Sequence, residues 1–313
     1  MLTTTVAASG GHFLTDGGIE TTLIFHEGHD LPLFAAYTLL DTAEGRESLR
    51  AYYRRYLALA AERGLGFILE SPTWRCSTGW GAQLGHSEDQ IAAFNRQAIA
   101  EMRALAAEAA QSGAGPVLVS GNIGPAGDGY AVGTSLDPAA AAAYHRHQIA
   151  ALAAAGADMI TAVTMTHSGE AAGIAAAVRA TGLPCVIAFT LETDGRLPSG
   201  ESLGEAIRAT DAASGGHPAY YMINCAHPDH FRGMIAQDPA VAARIGGLRA
   251  NASRMSHAEL DEATELDDGN PDELGRDYRA LAQLMPNLRV FGGCCGTDHR
   301  HVAAIADHCC GAA

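Results

Sequence analysis

The chain contains no lysine; all 20 of its basic residues are arginines. That absence excludes a Schiff-base aldolase, a pyridoxal-phosphate enzyme anchored through its own lysine, and a phosphate loop of the Walker type, each of which needs an ε-amino group. Basic clusters are also missing. With 35 acidic residues against those 20 arginines the formal charge is −15, which argues against nucleic acid or an anionic membrane surface as a partner. No run of eighteen apolar residues occurs, so no segment reads as a membrane-spanning helix. Met1 to Gly11 is small and polar, unlike a charged and apolar leader, and seven cysteines in 313 residues suggest a reducing compartment rather than a disulfide framework. The expected location is the cytoplasm.

No stretch rich in proline, serine or charge reads as a linker, so residues 1–313 are expected to form a single domain. Its longest unpatterned segments, Asp194 to Ser202 and Asn251 to Pro271, are short enough to be active-site loops. Eight β-rich runs alternate with alanine-rich segments of helical period: His12 to Thr15, Gly66 to Leu69, Pro116 to Ser120, Met159 to Val163, Cys185 to Phe189, Tyr220 to Ile223, Ile245 to Ala250, and Leu288 to Phe291. Eight such units, with no glycine-rich dinucleotide fingerprint after the first, predict a closed (β/α)8 TIM barrel rather than an open sheet. Between the runs, Arg46 to Arg63 is expected to be a helix stopped by Gly64, and Ser87 and Asp137-Pro138 are expected to open two more.

A barrel gathers the residues that follow its strands into one ring at the carboxyl end, where α/β enzymes keep their chemistry. Here that ring would be Asp16-Gly17-Gly18, Glu70-Ser71, Gly121-Asn122, Thr164, Thr190-Leu191-Glu192, Asn224-Cys225, Asn251 and Gly293-Cys294-Cys295. Two of its members carry cysteines. Cys225 follows the sixth strand, and Cys294 and Cys295, flanked by Gly292, Gly293 and Gly296, follow the eighth. Three thiolates with an open fourth position are the pattern of a catalytic zinc, and soft sulfur ligands select zinc or copper(I). Cys76, Cys185, Cys309 and Cys310 read as packing or tail residues, and the mid-helix pair His145 and His147 as surface and packing positions.

These runs resemble the homocysteine S-methyltransferase family, which includes betaine- and S-methylmethionine-homocysteine methyltransferases and the homocysteine-binding module of cobalamin-dependent methionine synthase. The resemblance is nearly end to end. It lies in Asp16-Gly17-Gly18, Gly121-Asn122-Ile123-Gly124-Pro125, Asn224-Cys225 with Pro228, Asn251-Ala252-Ser253, and above all Gly292-Gly293-Cys294-Cys295-Gly296-Thr297. It implies that Cys225, Cys294 and Cys295 bind zinc and that Asp16 and its glycines border a homocysteine pocket. One departure stands out: Val163 occupies the place of a glutamate that in the family contacts the amino acid's ammonium group, and Ser71-Pro72-Thr73-Trp74 replaces a Thr-Asn-Thr-Tyr type of run. Glu20, Glu70 and Glu192 are candidates to supply the missing carboxylate.

The expected reaction is transfer of a methyl group from an onium donor (S-methylmethionine, S-adenosylmethionine or betaine) to a zinc-bound homocysteine thiolate, giving methionine. A free thiol with a pKa of about 8.5 is mostly protonated at neutral pH, and zinc removes that proton while leaving a lone pair for attack. Three protein thiolates and one substrate thiolate leave the zinc site with a net charge of about −2, which favours alkyl transfer to sulfur over hydrolysis. The donor must already carry its methyl group on a positive centre, since no cobalamin, folate or S-adenosylmethionine Rossmann module fits the remaining length. Trp74 is the first candidate for the aromatic face such a cation seeks, with Phe25 and Tyr221 behind it. Asp16, Gly17, Gly18, Glu20, Glu70, Trp74, Asn122, Thr164, Glu192, Asn224 and Asn251 are the expected substrate-binding residues. Arg75, Arg196 and Arg254 are expected on loops at the carboxyl face, where the choice lies between clamping a substrate carboxylate and simple solvation, with solvation favoured for each; His227 is close enough to Cys225 to be an alternative ligand but is placed in the outer shell of the metal. Competing readings are a different thiol acceptor, a zinc hydrolase or aldolase, and a zinc-binding barrel without turnover. The sequence leaves homo-oligomerisation open.

Overall fold

The computed structural model describes residues 11–130, 132–133, 135–263 and 265–311. Eight parallel strands close on themselves in sequence order: β1 (Phe13–Leu14), β2 (Gly66–Glu70), β3 (Val117–Ile123), β4 (Met159–Met165), β5 (Cys185–Thr190), β6 (Pro218–Asn224), β7 (Ile245–Ala250) and β8 (Val290–Gly293), with β8 pairing back onto β1 through Phe13 opposite Val290. This is the (β/α)8 TIM barrel expected from the alternation of apolar runs and helical segments. Three strands run two or three residues beyond their predicted ends, β3 to Ile123, β4 to Met165 and β8 to Gly293, because the residues there still hold ladder register, as Ile123 opposite Ala162, Met165 opposite Phe189 and Gly293 opposite Ala250 do.

The covering helices are α1 (Ala43–Glu62), α2 (Glu88–Gln111), α3 (Pro138–Ala154), α4 (Ser168–Arg179), α5 (Leu203–Ser214), α6 (Pro228–Gln237), α7 (Pro271–Ala282) and α8 (His299–Cys309). Their starts follow the side-chain chemistry. Asp137 accepts the Ala140 N–H with Pro138 in the first turn, and Ser87 forms a capping box with Gln90. α1 begins three residues before its predicted start, since Thr42 accepts the Gly45 N–H and makes an earlier cap. It buries Tyr52, Tyr53, Tyr56, Leu57 and Ala60 against the strands, and Leu49 in a separate cluster with Leu40 and Ile91.

The largest apolar cluster lies between strands and helices, and a smaller one fills the barrel interior with Phe13, Ile68, Met159, Val186, Met222 and Val290. Gly66 admits the Phe13 ring to that plug, which a Cβ at this position would overlap. With the interior packed, the open space is at the carboxyl ends of the strands. Among the described residues no helix is long and apolar enough to cross a membrane.

Candidate metal centre and cavity

Three sulfurs meet at that end. The Sγ atoms of Cys225, Cys294 and Cys295 all lie within 4.8 Å of one another. Cys225 and Cys294 are joined as a disulfide with a Cα–Cα separation of 5.4 Å, and Cys225 Sγ lies 4.0 Å from Cys295 Sγ. The local backbone explains the convergence. Cys225 adopts a left-handed conformation with φ 51° just after β6, and its N–H donates to the Arg249 carbonyl at 3.1 Å. Cys294 donates its N–H to Ala250 at 2.9 Å, and the Cys295 carbonyl accepts from the Ala252 N–H at 3.1 Å, so both segments are tied to β7 between them. Gly292 and Gly293 are required by close approach, since a Cβ on either would overlap a threonine hydroxyl, that of Thr15 or of Thr297.

The sulfurs open onto a cavity of about 350 Å³, within the usual size range of small-molecule sites. Asp16, Gly17, Gly18, Glu20, Glu70, Trp74, Asn122, Thr164 and Asn224 line it together with the three cysteines. Glu192 and Asn251 do not. Both face an adjoining crevice behind Cys225, where Glu192 Oε1 lies 3.0 Å from His257 Nδ1. Their strand-end position was sound, but β5 and β7 turn these two side chains to the other side of Cys225. Val163 forms apolar wall, with no carboxylate in its place, and Thr164 beside it takes φ 63°. Asn224 steadies that strained residue by accepting the Thr164 N–H at 2.9 Å and donating to its hydroxyl at 3.0 Å.

Among the cavity residues beyond the expected set, three bear on its chemistry. Arg249, next to the carboxyl end of apolar β7, is 7% exposed and pairs with Asp16 at 2.9 Å, lies 3.8 Å from Glu70, and donates to the carbonyls of Gly293 and Gly17 at 3.0 and 3.1 Å. Its signal in the sequence was the arginine itself, because a cation inside a barrel strand needs a buried partner. Tyr130, from the loop after β3, brings its hydroxyl to 3.2 Å from Cys295 Sγ and 3.6 Å from Cys225 Sγ. His257 stacks on Tyr130 at 4.3 Å between ring centroids and holds the Cys225 carbonyl at 2.6 Å from Nε2. Nothing in the sequence separates Tyr130 from other loop aromatics or His257 from the chain's other histidines.

Burial governs the electrostatics. It raises the pKa of Glu20 to about 7, with Asp16 adding to the rise, and that of Glu70 to about 7 against the pull of Arg249. Burial also raises Asp16, opposed by Arg249 and by the Tyr52 hydroxyl, which donates to Asp16 at 2.9 Å. Arg249 loses by desolvation and regains more from Asp16 and Glu70, so its pKa rises.

Several expectations need correction. Tyr221 is fully buried, stacked on Phe189 and hydrogen-bonded to Asp211 at 2.8 Å, on the helix side of the barrel and away from the cavity. Arg75 is not solvated: it is 6% exposed and lines the cavity. Arg254 and Arg196 lie on loops as expected: Arg254 is exposed and pairs with Asp229 at 2.8 Å, and Arg196 donates to the Gly200 carbonyl on its own loop. His227 caps α6 through the Asp229 N–H, and none of its hydrogen bonds reaches a sulfur. His145 is a packing position, as expected, buried against Glu170 at 2.8 Å.

The fold is a TIM barrel whose small-molecule cavity carries at its rim three cysteine sulfurs close enough together to hold a metal ion. The family model for homocysteine S-methyltransferase matches residues 13–309, and the chain belongs to that family, a methyltransferase class. Homocysteine S-methyltransferase 4 of Zea mays is 26% identical, over 96% of this chain and 90% of that protein. Selenocysteine Se-methyltransferase of Brassica oleracea var. italica is 22% identical, over 95% and 88%. Crystal structures of the homocysteine methyltransferase MmuM from Escherichia coli share the fold: its metallated form at TM-score 0.75 and 21% identity, covering 96% of this chain and 98% of that one, and its oxidized form at TM-score 0.72 and 22% identity, covering 94% of each.

Proposed function

We propose that the protein, as a single barrel domain spanning residues 1–313, is a zinc-dependent S-methyltransferase. It moves a methyl group from an onium donor (S-methylmethionine, S-adenosylmethionine or betaine) to the thiol of homocysteine, giving methionine. The observation that carries this reading is the convergence of three sulfurs in one cavity. Zinc bonds to sulfur of about 2.3 Å at tetrahedral angles place sulfurs about 3.8 Å apart. The 4.0 Å between Cys225 and Cys295 suits this, and once reduced, Cys225 and Cys294 need to separate only to the same spacing. The donor set is soft and anionic, which fits zinc and leaves the fourth position to a substrate.

Cys225, Cys294 and Cys295 would hold the zinc, and a substrate thiol bound at its fourth position would lose its proton at neutral pH while keeping a lone pair for attack. The chain's own residues do the rest. Tyr130 directs its hydroxyl at two of the sulfurs and His257 fixes the Cys225 carbonyl. Asp16, Arg249 and Glu70 form a rigid ionic floor, and Glu20 and Glu70 supply the cavity carboxylates that Val163 does not, toward an ammonium group. Trp74 and, at the mouth, the exposed Phe25 offer faces to the donor cation. In the transfer the carbon–onium bond breaks with its electron pair staying on the donor, the carbon bonds to sulfur, and the thiol proton goes to solvent. Holding both partners in line supplies most of the acceleration.

Val163 favours a second reading, in which the acceptor is another small thiol. Purified, reduced, zinc-loaded protein is incubated with homocysteine and each donor in turn. Methionine appearing with one of them is the expected result; no methylated thiol with any donor, despite one bound zinc, overturns the proposal.

A further inference from the structure

The cavity has two guanidinium groups, and their surroundings differ. Arg249 is saturated by Asp16 and two backbone carbonyls. Arg75 is equally buried, yet no carboxylate among the described residues pairs with it. Among the described residues its one hydrogen bond is from Nη1 to the Gly127 carbonyl at 3.3 Å, and its Nε is buried with no partner. Two indoles hold it in place: its guanidinium carbon lies 4.1 Å from the Trp74 ring centroid and 3.5 Å from that of Trp80. A flat cation between aromatic faces keeps its in-plane N–H fork free for a ligand. Burying a charge without its counter-charge is unfavourable unless the ligand provides it. The nearest acids act at a distance: Glu20 and Asp128 influence Arg75 through space, and Asp128 already accepts the Tyr130 N–H at 2.7 Å.

We propose that Arg75, clamped between Trp74 and Trp80, is a specificity-determining residue that binds the carboxylate of a substrate in the cysteine-lined cavity. The planar fork matches a carboxylate bidentately, as a point-charge ammonium would not. With Asp16 already committed to Arg249 and Val163 apolar, the site selects its ligand by the acid end at least as strongly as by the amine. This deepens the methyl-transfer reading and borrows from it the choice of ligands. Either the acceptor or the donor brings the carboxylate, since homocysteine, S-methylmethionine and betaine all carry one.

The molecule contains its own reporter, because its two tryptophans are the two that clamp Arg75. The experiment titrates reduced, zinc-loaded protein and follows tryptophan emission, using two matched pairs. Homocysteine is compared with 3-aminopropane-1-thiol, and S-methylmethionine with (3-aminopropyl)dimethylsulfonium; within each pair only the carboxylate differs. The wild type is expected to bind the acid of one pair on the order of a hundredfold more tightly than its partner, a typical loss when a buried charge pair forfeits one member. The pair that discriminates identifies the source. In Arg75→Gln the preference falls to within a few-fold, and Arg75→Lys, which keeps the charge without the fork, falls between. A general packing defect weakens both members of a pair alike and leaves their ratio intact, so a changed ratio belongs to the carboxylate. Equal affinities in the wild type, a preference that survives in Arg75→Gln, or no emission change with any of the four overturns the proposal. Methyl transfer is assayed separately: its absence alongside an Arg75-dependent preference would overturn the reaction and leave the binding role standing.

Discussion

Glu70→Gln should stabilise the protein, and only where the pH is high enough. Glu70 is 2% exposed, and burial raises its pKa from 4.5 to about 7. Below pH 4.5 the carboxyl is protonated in both folded and unfolded chains and contributes no pH dependence. Between 4.5 and 7 the unfolded chain releases the proton while the folded one retains it, so the folded state binds more protons and stability falls as pH rises. Above 7 both forms are ionised and the full penalty, about 3 kcal/mol for that pKa difference, has accumulated. Glutamine keeps the shape and removes the titration. The counter-effect is small: Arg249 loses a contact at 3.8 Å and keeps Asp16 at 2.9 Å. Urea unfolding of wild type and variant at pH 5 and pH 8 gives the answer. The variant should match wild type within about 1 kcal/mol at pH 5 and exceed it by about 2–3 kcal/mol at pH 8. A variant less stable than wild type at pH 8 would refute the reasoning, showing that the Arg249 contact outweighs the burial of the charge.

Gly292→Ala forces a Cβ into the Thr15 hydroxyl and toward the Asp16 carbonyl; we expect a loss of about 1–3 kcal/mol in denaturant unfolding, and an unchanged midpoint would contradict the packing described for β8. Tyr130→Phe removes the hydroxyl that faces two sulfurs, and zinc competition with a chelator should show affinity lowered about 10–100-fold; no change would mean the phenol does not support the metal. Unreduced protein should take up no zinc while Cys225 and Cys294 are joined, and reduction should restore one equivalent; uptake of a full equivalent by protein in which that bond is shown intact would exclude this trio as the ligands.

The sulfur trio and the barrel were legible because both depend on local patterns. Apolar runs end in polar or glycine-rich segments at eight places, and the cysteines sit immediately after two of them. Side-chain direction was less legible, since it depends on register and on how each strand end turns. Glu192 and Asn251 stand at strand ends as expected and face the crevice with His257 instead of the cavity. Tyr221 alternates outward from β6 into the helix layer. Arg249 escaped notice because Ile245 to Ala250 otherwise reads as a buried apolar strand, and only the meeting of β1, β2 and β7 reveals Asp16 and Glu70 as its partners. Arg75 lies on a loop, as its sequence context implies, but its burial against Trp80, six residues beyond Trp74 on a short helix (Thr78–Gln83), is not legible from that context.

The most direct test of the central claim is zinc K-edge X-ray absorption on the reduced, zinc-loaded protein before and after addition of selenohomocysteine. Three sulfur neighbours at about 2.3 Å and one lighter atom are expected at first, with the lighter atom replaced by selenium once the ligand is present. A zinc shell dominated by nitrogen or oxygen, or one that gains no selenium, would contradict the account.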